Sequence, residues 1–117
     1  PGGRQRALWQ RGIRTVKKAN LVAEYTLTGK AYQDLSDIVE YSRTHWGQSQ
    51  TNIYITSIET SCQFLADNPG AGKACDDLAR GLLSHPVGSH VIFYLRQGDD
   101  ISVLRVLHKR MLPSKYL

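Results

Sequence analysis

Apolar and polar residues first alternate in the stretch 21–28. Leu21, Ala23, Tyr25 and Leu27 interleave with Val22, Glu24, Thr26 and Thr28. A period of two predicts a strand there. Thr28 and Gly29 break it, and either is suited to cap the next element. From Lys30 to Trp46 the period becomes helical. Tyr32, Leu35, Val39 and Trp46 share a stripe, with Ile38 and Ser42 beside it, and Asp34, Asp37, Glu40 and Arg43 lie off it. Gly47 stands where a helix end favours positive φ. A second helix is predicted from Ser49, a suitable N-cap, to Asp67, with Tyr54, Ile58, Cys62 and Leu65 at helical spacing and Ile55 and Phe64 flanking. Asn68, Pro69 and Gly70 end it. So short a connection predicts an antiparallel helical hairpin.

Residues 70–79 read as a loop. Three strand candidates follow: Gly81–Val87, weakened by Pro86; His90–Arg96; and Ile101–His108. Gln97, Gly98, Asp99 and Asp100 make a turn between the last two, which predicts a β-hairpin. In the final strand Ile101, Val103, Arg105 and Leu107 oppose Ser102, Leu104, Val106 and His108, and the pattern does not say which set faces the core. Pro113 to Leu117 reads as a short tail or helical turn. The order β-α-α-β-β-β predicts an α+β domain, a helical hairpin packed on one face of a small, mostly antiparallel sheet.

Composition adds a division along the chain. The net charge is +5 over 117 residues. Arg4, Arg6, Arg11, Arg14, Lys17 and Lys18 carry it, with no acid before Glu24; removing those six from the 15 basic residues leaves nine, against ten acidic, over 24–117. The expected organisation is a basic extension over 1–20 and a domain over 21–117. The extension reads as disordered, as vector-derived or untranslated-region sequence, or as an arm for nucleic acid or an acidic partner. Trp9, Ile13 and Val16 give it a weak helical period within Leu8–Val22. No apolar run approaches the roughly 18–20 residues of a membrane span, and no secretory signal is visible, so a cytoplasmic protein is expected. Cys62 and Cys75 read as reduced thiols. The four histidines are scattered without ligand spacing, so neither a metal nor another cofactor is expected.

No strong catalytic motif is present. Reactive side chains concentrate at the C-terminal end: Arg105, His108, Lys109, Arg110, Lys115 and Tyr116, with His90 and Arg96 on the neighbouring strand. Three readings stay open. The cluster binds phosphate or an acidic protein surface; it cleaves RNA, with His108 or Tyr116 as acid/base; or it is a solvated edge that deters strand pairing. Tyr32, Trp46 and Tyr54 read as core ahead of a ligand box. Asp34, Asp37 and Glu40 read as a wet helix face that could also meet a cationic partner.

Several strings together resemble ParE-type toxins of the ParE/RelE superfamily. They are Tyr25 to Thr28 with Ala31, Asp34, Leu35, Ile38 and Tyr41; Trp46 and Gly47 with Gln50 and Tyr54; Leu65 to Pro69 with Gly72; Gly81 to Ser84; Gly88 to Tyr94; and Arg105 to Met111. The resemblance covers about residues 22–117. It implies a RelE-like fold and the toxin half of a type II toxin–antitoxin module. It further implies a non-enzymatic poison of DNA gyrase, neutralised by a ParD-like antitoxin in a hetero-oligomer that meets operator DNA only through the antitoxin. The expected target-inhibition residues are Arg105, His108, Arg110 and Met111, with His90, Arg96 and position 83 adjacent. Tyr41 and Tyr54 are expected to meet the antitoxin. Two positions depart from the pattern: Leu83 stands where such toxins carry arginine in a Gly-Leu-Arg-Ser string, and Leu112 where they carry aspartate. Either the chain uses another surface or it is attenuated, and attenuation is the consequence to test. The alternatives are a RelE-type ribosome-dependent mRNA endoribonuclease, or a weakened toxin serving mainly as antitoxin-binding corepressor.

Overall fold

The computed structural model describes residues 23–117; the basic extension over 1–20 and the weak helical period at Leu8–Val22 lie outside them. Strand β1 (Tyr25–Leu27) leads into helix α1 (Gly29–Trp46) and helix α2 (Gln48–Asp67). A 3-10 turn at Pro69–Ala71 precedes strands β2 (Lys73–Ala74), β3 (Leu83–Val87), β4 (His90–Gln97) and β5 (Asp100–His108), and helix α3 (Pro113–Tyr116) closes the chain. The sheet order is β1-β5-β4-β3-β2. β1 runs parallel to β5 and the other pairings are antiparallel. This is the expected helical hairpin on a mostly antiparallel sheet, with one short edge strand, β2, inside the segment read as a loop. A strand of two exposed residues carries no alternation to detect. No helix among the described residues is long and apolar enough to cross a membrane.

Local chemistry explains the helix boundaries. Thr28 caps α1: its hydroxyl oxygen accepts the Ala31 N–H at 3.1 Å and its own O–H donates to the Leu104 carbonyl at 2.8 Å. A cap of this kind contributes about 1 kcal/mol, and this one also ties the helix start to β5. Gly47, at φ 88°, ends α1 and precedes α2 directly. Ser49 therefore lies inside α2 and is not its cap. The buried residues of α1 are Ala31, Leu35, Ile38 and Ser42. Trp46, expected on that stripe, is instead 54% exposed. Because α1 stops at Trp46, the ring stands beside the hairpin turn at Gly47. In α2 the buried set is Thr51, Ile55, Ile58, Cys62, Leu65 and Ala66, while Phe64 is exposed. Thr51 is tolerated there because its hydroxyl donates back to the Gly47 carbonyl at 2.8 Å.

The sheet has two apolar faces. On one, Tyr25, Leu27, Ile92, Tyr94, Ile101, Val103 and Val106 meet the helices. On the other, Phe93 and Leu107 pack with Cys75 and Leu82, and Val91, Leu95, Leu104 and Met111 join them. A β-bulge settles the ambiguity of the last strand. Tyr94 pairs with Val103 and Phe93 with Arg105, so Leu104 is an extra residue on β5. The alternation shifts by one there. Ile101 and Val103 before the bulge, and Val106 after it, all face the helices. Tyr94 also binds the 3-10 turn: its O–H donates to the Pro69 carbonyl and accepts the Gly72 N–H, both at 2.9 Å. A Cβ at Gly72 would fall 2.3 Å from that oxygen, so the position must be glycine. Cys62 and Cys75 are both free and buried, and burial pushes the Cys62 thiol up to about 12.

Candidate functional site

A cleft of about 490 Å³ opens between α1 and the far ends of β4 and β5. One wall comes from α1: Asp34, Asp37, Ile38, Tyr41, Ser42 and Trp46. Opposite stand Ser89, His90, Val106, His108 and Met111. Of the residues singled out in the sequence, Tyr41, His90, His108 and Met111 line it. Tyr54 lies behind His90. Arg96 does not belong to this group. It pairs with Ile101 at the opposite end of the hairpin and lies beside Gly70. Leu83 is not on the cleft either. It pairs with Tyr94 and packs, partly buried, against the helix-side core. Leu112 is 62% exposed just beyond Met111.

Arg105 closes one end of the cleft. Its Nε and Nη2 donate to Asp34 Oδ2 and Oδ1, each at 2.8 Å, and its Nη1 donates to the Tyr116 carbonyl. Both side chains are largely buried, at 15% and 11% exposure. Asp34 Oδ2 also accepts the Val106 N–H at 3.0 Å, an edge donor of β5 beyond the end of β1. The two-point hydrogen bond to Asp34 raises the Arg105 pKa above its ordinary value. Asp34 was read as part of a wet helix face, and this is a correction. The available signal was Arg105 itself, because an arginine within an apolar strand requires a buried counter-ion.

The other end is built on rings. Tyr54 holds the β3–β4 turn: its hydroxyl oxygen accepts the Ser89 N–H at 2.9 Å, lies 2.6 Å from His90 Nδ1, and lies 3.3 Å from the Val87 carbonyl. Gly88 turns there with φ 56°, and a Cβ would stand 2.4 Å from the Tyr54 ring. Burial raises the Tyr54 pKa. His90 and His108 face one another across β4 and β5, with ring centroids 5.2 Å apart. Burial first, and then the neighbouring His108, lowers the His90 pKa to about 4, so its ring is neutral at pH 7. His108 Nδ1 accepts the Arg110 N–H at 3.1 Å. Ring contacts continue outward from His90 to Tyr54, Trp46, Tyr41 and His45. Among the described residues no group of three or more His, Cys, Asp or Glu could hold a metal ion. The cleft is thus walled by rings and carboxylates, and its lining includes neither lysine nor arginine.

This hairpin on a five-stranded sheet is a fold shared with a solved structure. It superposes on a chain of the chromosomal ParDE TA system from P. aeruginosa with a TM-score of 0.63, covering 75% of this chain and 96% of that one, at 20% identity. The sequence carries the assignment further. Toxin ParE1 of Caulobacter vibrioides is 37% identical over 93 residues, 80% of this chain and 96% of that protein. Toxin ParE1 of Mycobacterium tuberculosis is 34% identical over 90 residues, 76% and 92% of the two chains. Toxin ParE of Escherichia coli is 35% identical over 88 residues, 74% and 85%. Residues 25–113 match the ParE toxin family of the type II toxin–antitoxin system parDE. The chain belongs to that family.

Proposed function

We propose that this toxin inhibits DNA gyrase by binding to it, without being an enzyme, and that a ParD-like antitoxin neutralises it. Operator DNA is met only through the antitoxin, in a cytoplasmic hetero-oligomer. Family membership supports the gyrase target. The observation that carries the choice between binding and RNA cleavage is the state of Arg105. A guanidinium held at two points by Asp34 is not free for a phosphate. An RNA-cleaving cleft needs cations beside its acid/base groups; this one presents Asp37 and a His90 with little tendency to take a proton. Within the proposal His90, His108, Arg110 and Met111 supply the target-facing edge. Arg105 acts by fixing α1 and α3 around it, Arg96 and Leu83 lie apart from it, and Tyr41 and Tyr54 stand on the antitoxin side.

The experiment is to incubate the protein with gyrase, ATP and relaxed plasmid. Lost supercoiling with new linear product is expected. Unaltered supercoiling by both the native chain and a Leu83→Arg, Leu112→Asp variant would sink the gyrase reading, and cleavage of ribosome-bound mRNA would then be measured. Recovery of inhibition only in that variant would show an attenuated toxin of the same target. Leu83 packs against the core, so an arginine there must send its head outward along β3.

A further inference from the structure

We propose that Asp37, Tyr41 and Trp46 form a cation-binding subsite that receives an arginine or lysine side chain from the toxin-binding segment of the antitoxin. The inference rests on the antitoxin reading above and adds the chemistry by which that partner is recognised. Three carboxylates project from successive turns of α1, and their fates differ. Asp34 is bound to Arg105. Glu40 is bridged by Arg43 at 2.9 Å. Asp37 accepts the Gln33 side-chain amide at 2.9 Å, and among the described residues no cation lies on it. Asp37 nonetheless lines a cleft that is otherwise mostly apolar, beside Ile38, Val106 and Met111.

The aromatic half lies on the same helix. Tyr41 follows Asp37 by four residues and so stands on the same face, one turn on. Trp46 meets Tyr41 with ring centroids 5.9 Å apart and planes at 88°. Both rings line the cleft, yet 56% of Tyr41 and 54% of Trp46 remain exposed. Large rings left half in water at right angles, next to a carboxylate without a cation, suit a flat guanidinium or an ammonium, which gains from the ring faces and the charge together. The aliphatic stem of the same side chain would cover Ile38 and Met111. Nucleic acid is a poor occupant, since Asp37 repels phosphate.

The test uses the full chain and a purified ParD-like antitoxin, with affinity measured by titration calorimetry at two salt concentrations. Asp37→Asn is expected to weaken binding about tenfold and to flatten the salt dependence, and Trp46→Leu to weaken it several-fold. Replacing one antitoxin arginine or lysine should cost no further affinity once Asp37 is Asn. Both toxin positions are surface positions, so unchanged urea midpoints identify the losses as binding effects. Affinities of Asp37→Asn and Trp46→Leu within twofold of the parent, with tight binding by the parent itself, would overturn the subsite alone. Absence of binding by the parent chain would remove the antitoxin reading and the subsite with it.

Discussion

The two ends of the cleft use similar residues for opposite purposes. At one end Asp34 and Arg105 close on each other, away from solvent, and join α1, β5 and α3. At the other, Asp37, Tyr41 and Trp46 come from the same helix and stay open to water. Asp34 and Asp37 are three residues apart, and neither differs from the other in type or in its distance from the apolar stripe. What separates them is the strand opposite. Arg105 reaches Asp34 from β5, and Asp37 has no such neighbour among the described residues. The closed end maintains the fold, and the open end is the surface proposed for the antitoxin.

Removing one member of the closed pair should therefore give the largest effect on stability. Arg105→Ala strands the Asp34 carboxylate in a site where it is 11% exposed, and is expected to cost about 3 kcal/mol. Urea denaturation measures it; a loss under 1 kcal/mol would mean that Asp34 reaches water and that the end is not closed. Asp37→Asn, by contrast, should leave the urea midpoint unchanged, as surface substitutions generally do within about 0.5 kcal/mol. A large loss there would dissolve the distinction between the ends.

The next effect concerns the turn that carries Ser89 and His90. Gly88→Ala forces a Cβ into the Tyr54 ring at a positive φ, with an expected cost of about 2 kcal/mol. Tyr54→Phe keeps the ring and deletes the hydroxyl, so the Ser89 N–H loses its acceptor; about 1 kcal/mol is expected. Equal stability of Tyr54→Phe and the parent would show that the turn holds its shape without the hydroxyl. Tyr54 would then be free to serve as a contact alone.

Much of the architecture was legible because periodicity reports it directly. The alternation in β1, the two helices, Gly47, Pro69 and the Gly98 turn all lie where the sequence puts them, and Leu35, Ile58, Cys62 and Leu65 of the expected stripes are buried. Less legible were features set by pairs of distant residues. The bulge at Leu104 is written in no local pattern. The 71-residue separation of Asp34 from Arg105 hid a buried ion pair behind what looked like a wet face. Trp46 counted as core because it keeps helical spacing, but its ring stands beside the hairpin turn, edge-on to Tyr41 and Tyr54 and half in water. Leu83 drew notice through its departure from a pattern; only the register with Tyr94 shows that its side chain belongs to the core. Gly72 and Gly88 belonged to the family resemblance without a physical reason, which the Tyr94 and Tyr54 rings now supply.

The smallest effect is a dependence on pH, which sharpens the contrast between the ends because it belongs to the ring-built one. His90 is held near 4, against about 6.5 for an unfolded histidine, by burial and by His108, with Asp34 acting weakly in the opposite direction. Between those values the unfolded chain binds a proton that the folded chain refuses. Stability therefore rises with pH across that window, and is lost as pH falls from about 6.5 towards 4. The ring is partly open to solvent, so screening keeps the effect modest. His90→Gln should flatten the melting-temperature profile between pH 6.5 and 4.5. A profile unchanged by that substitution would place the proton uptake elsewhere.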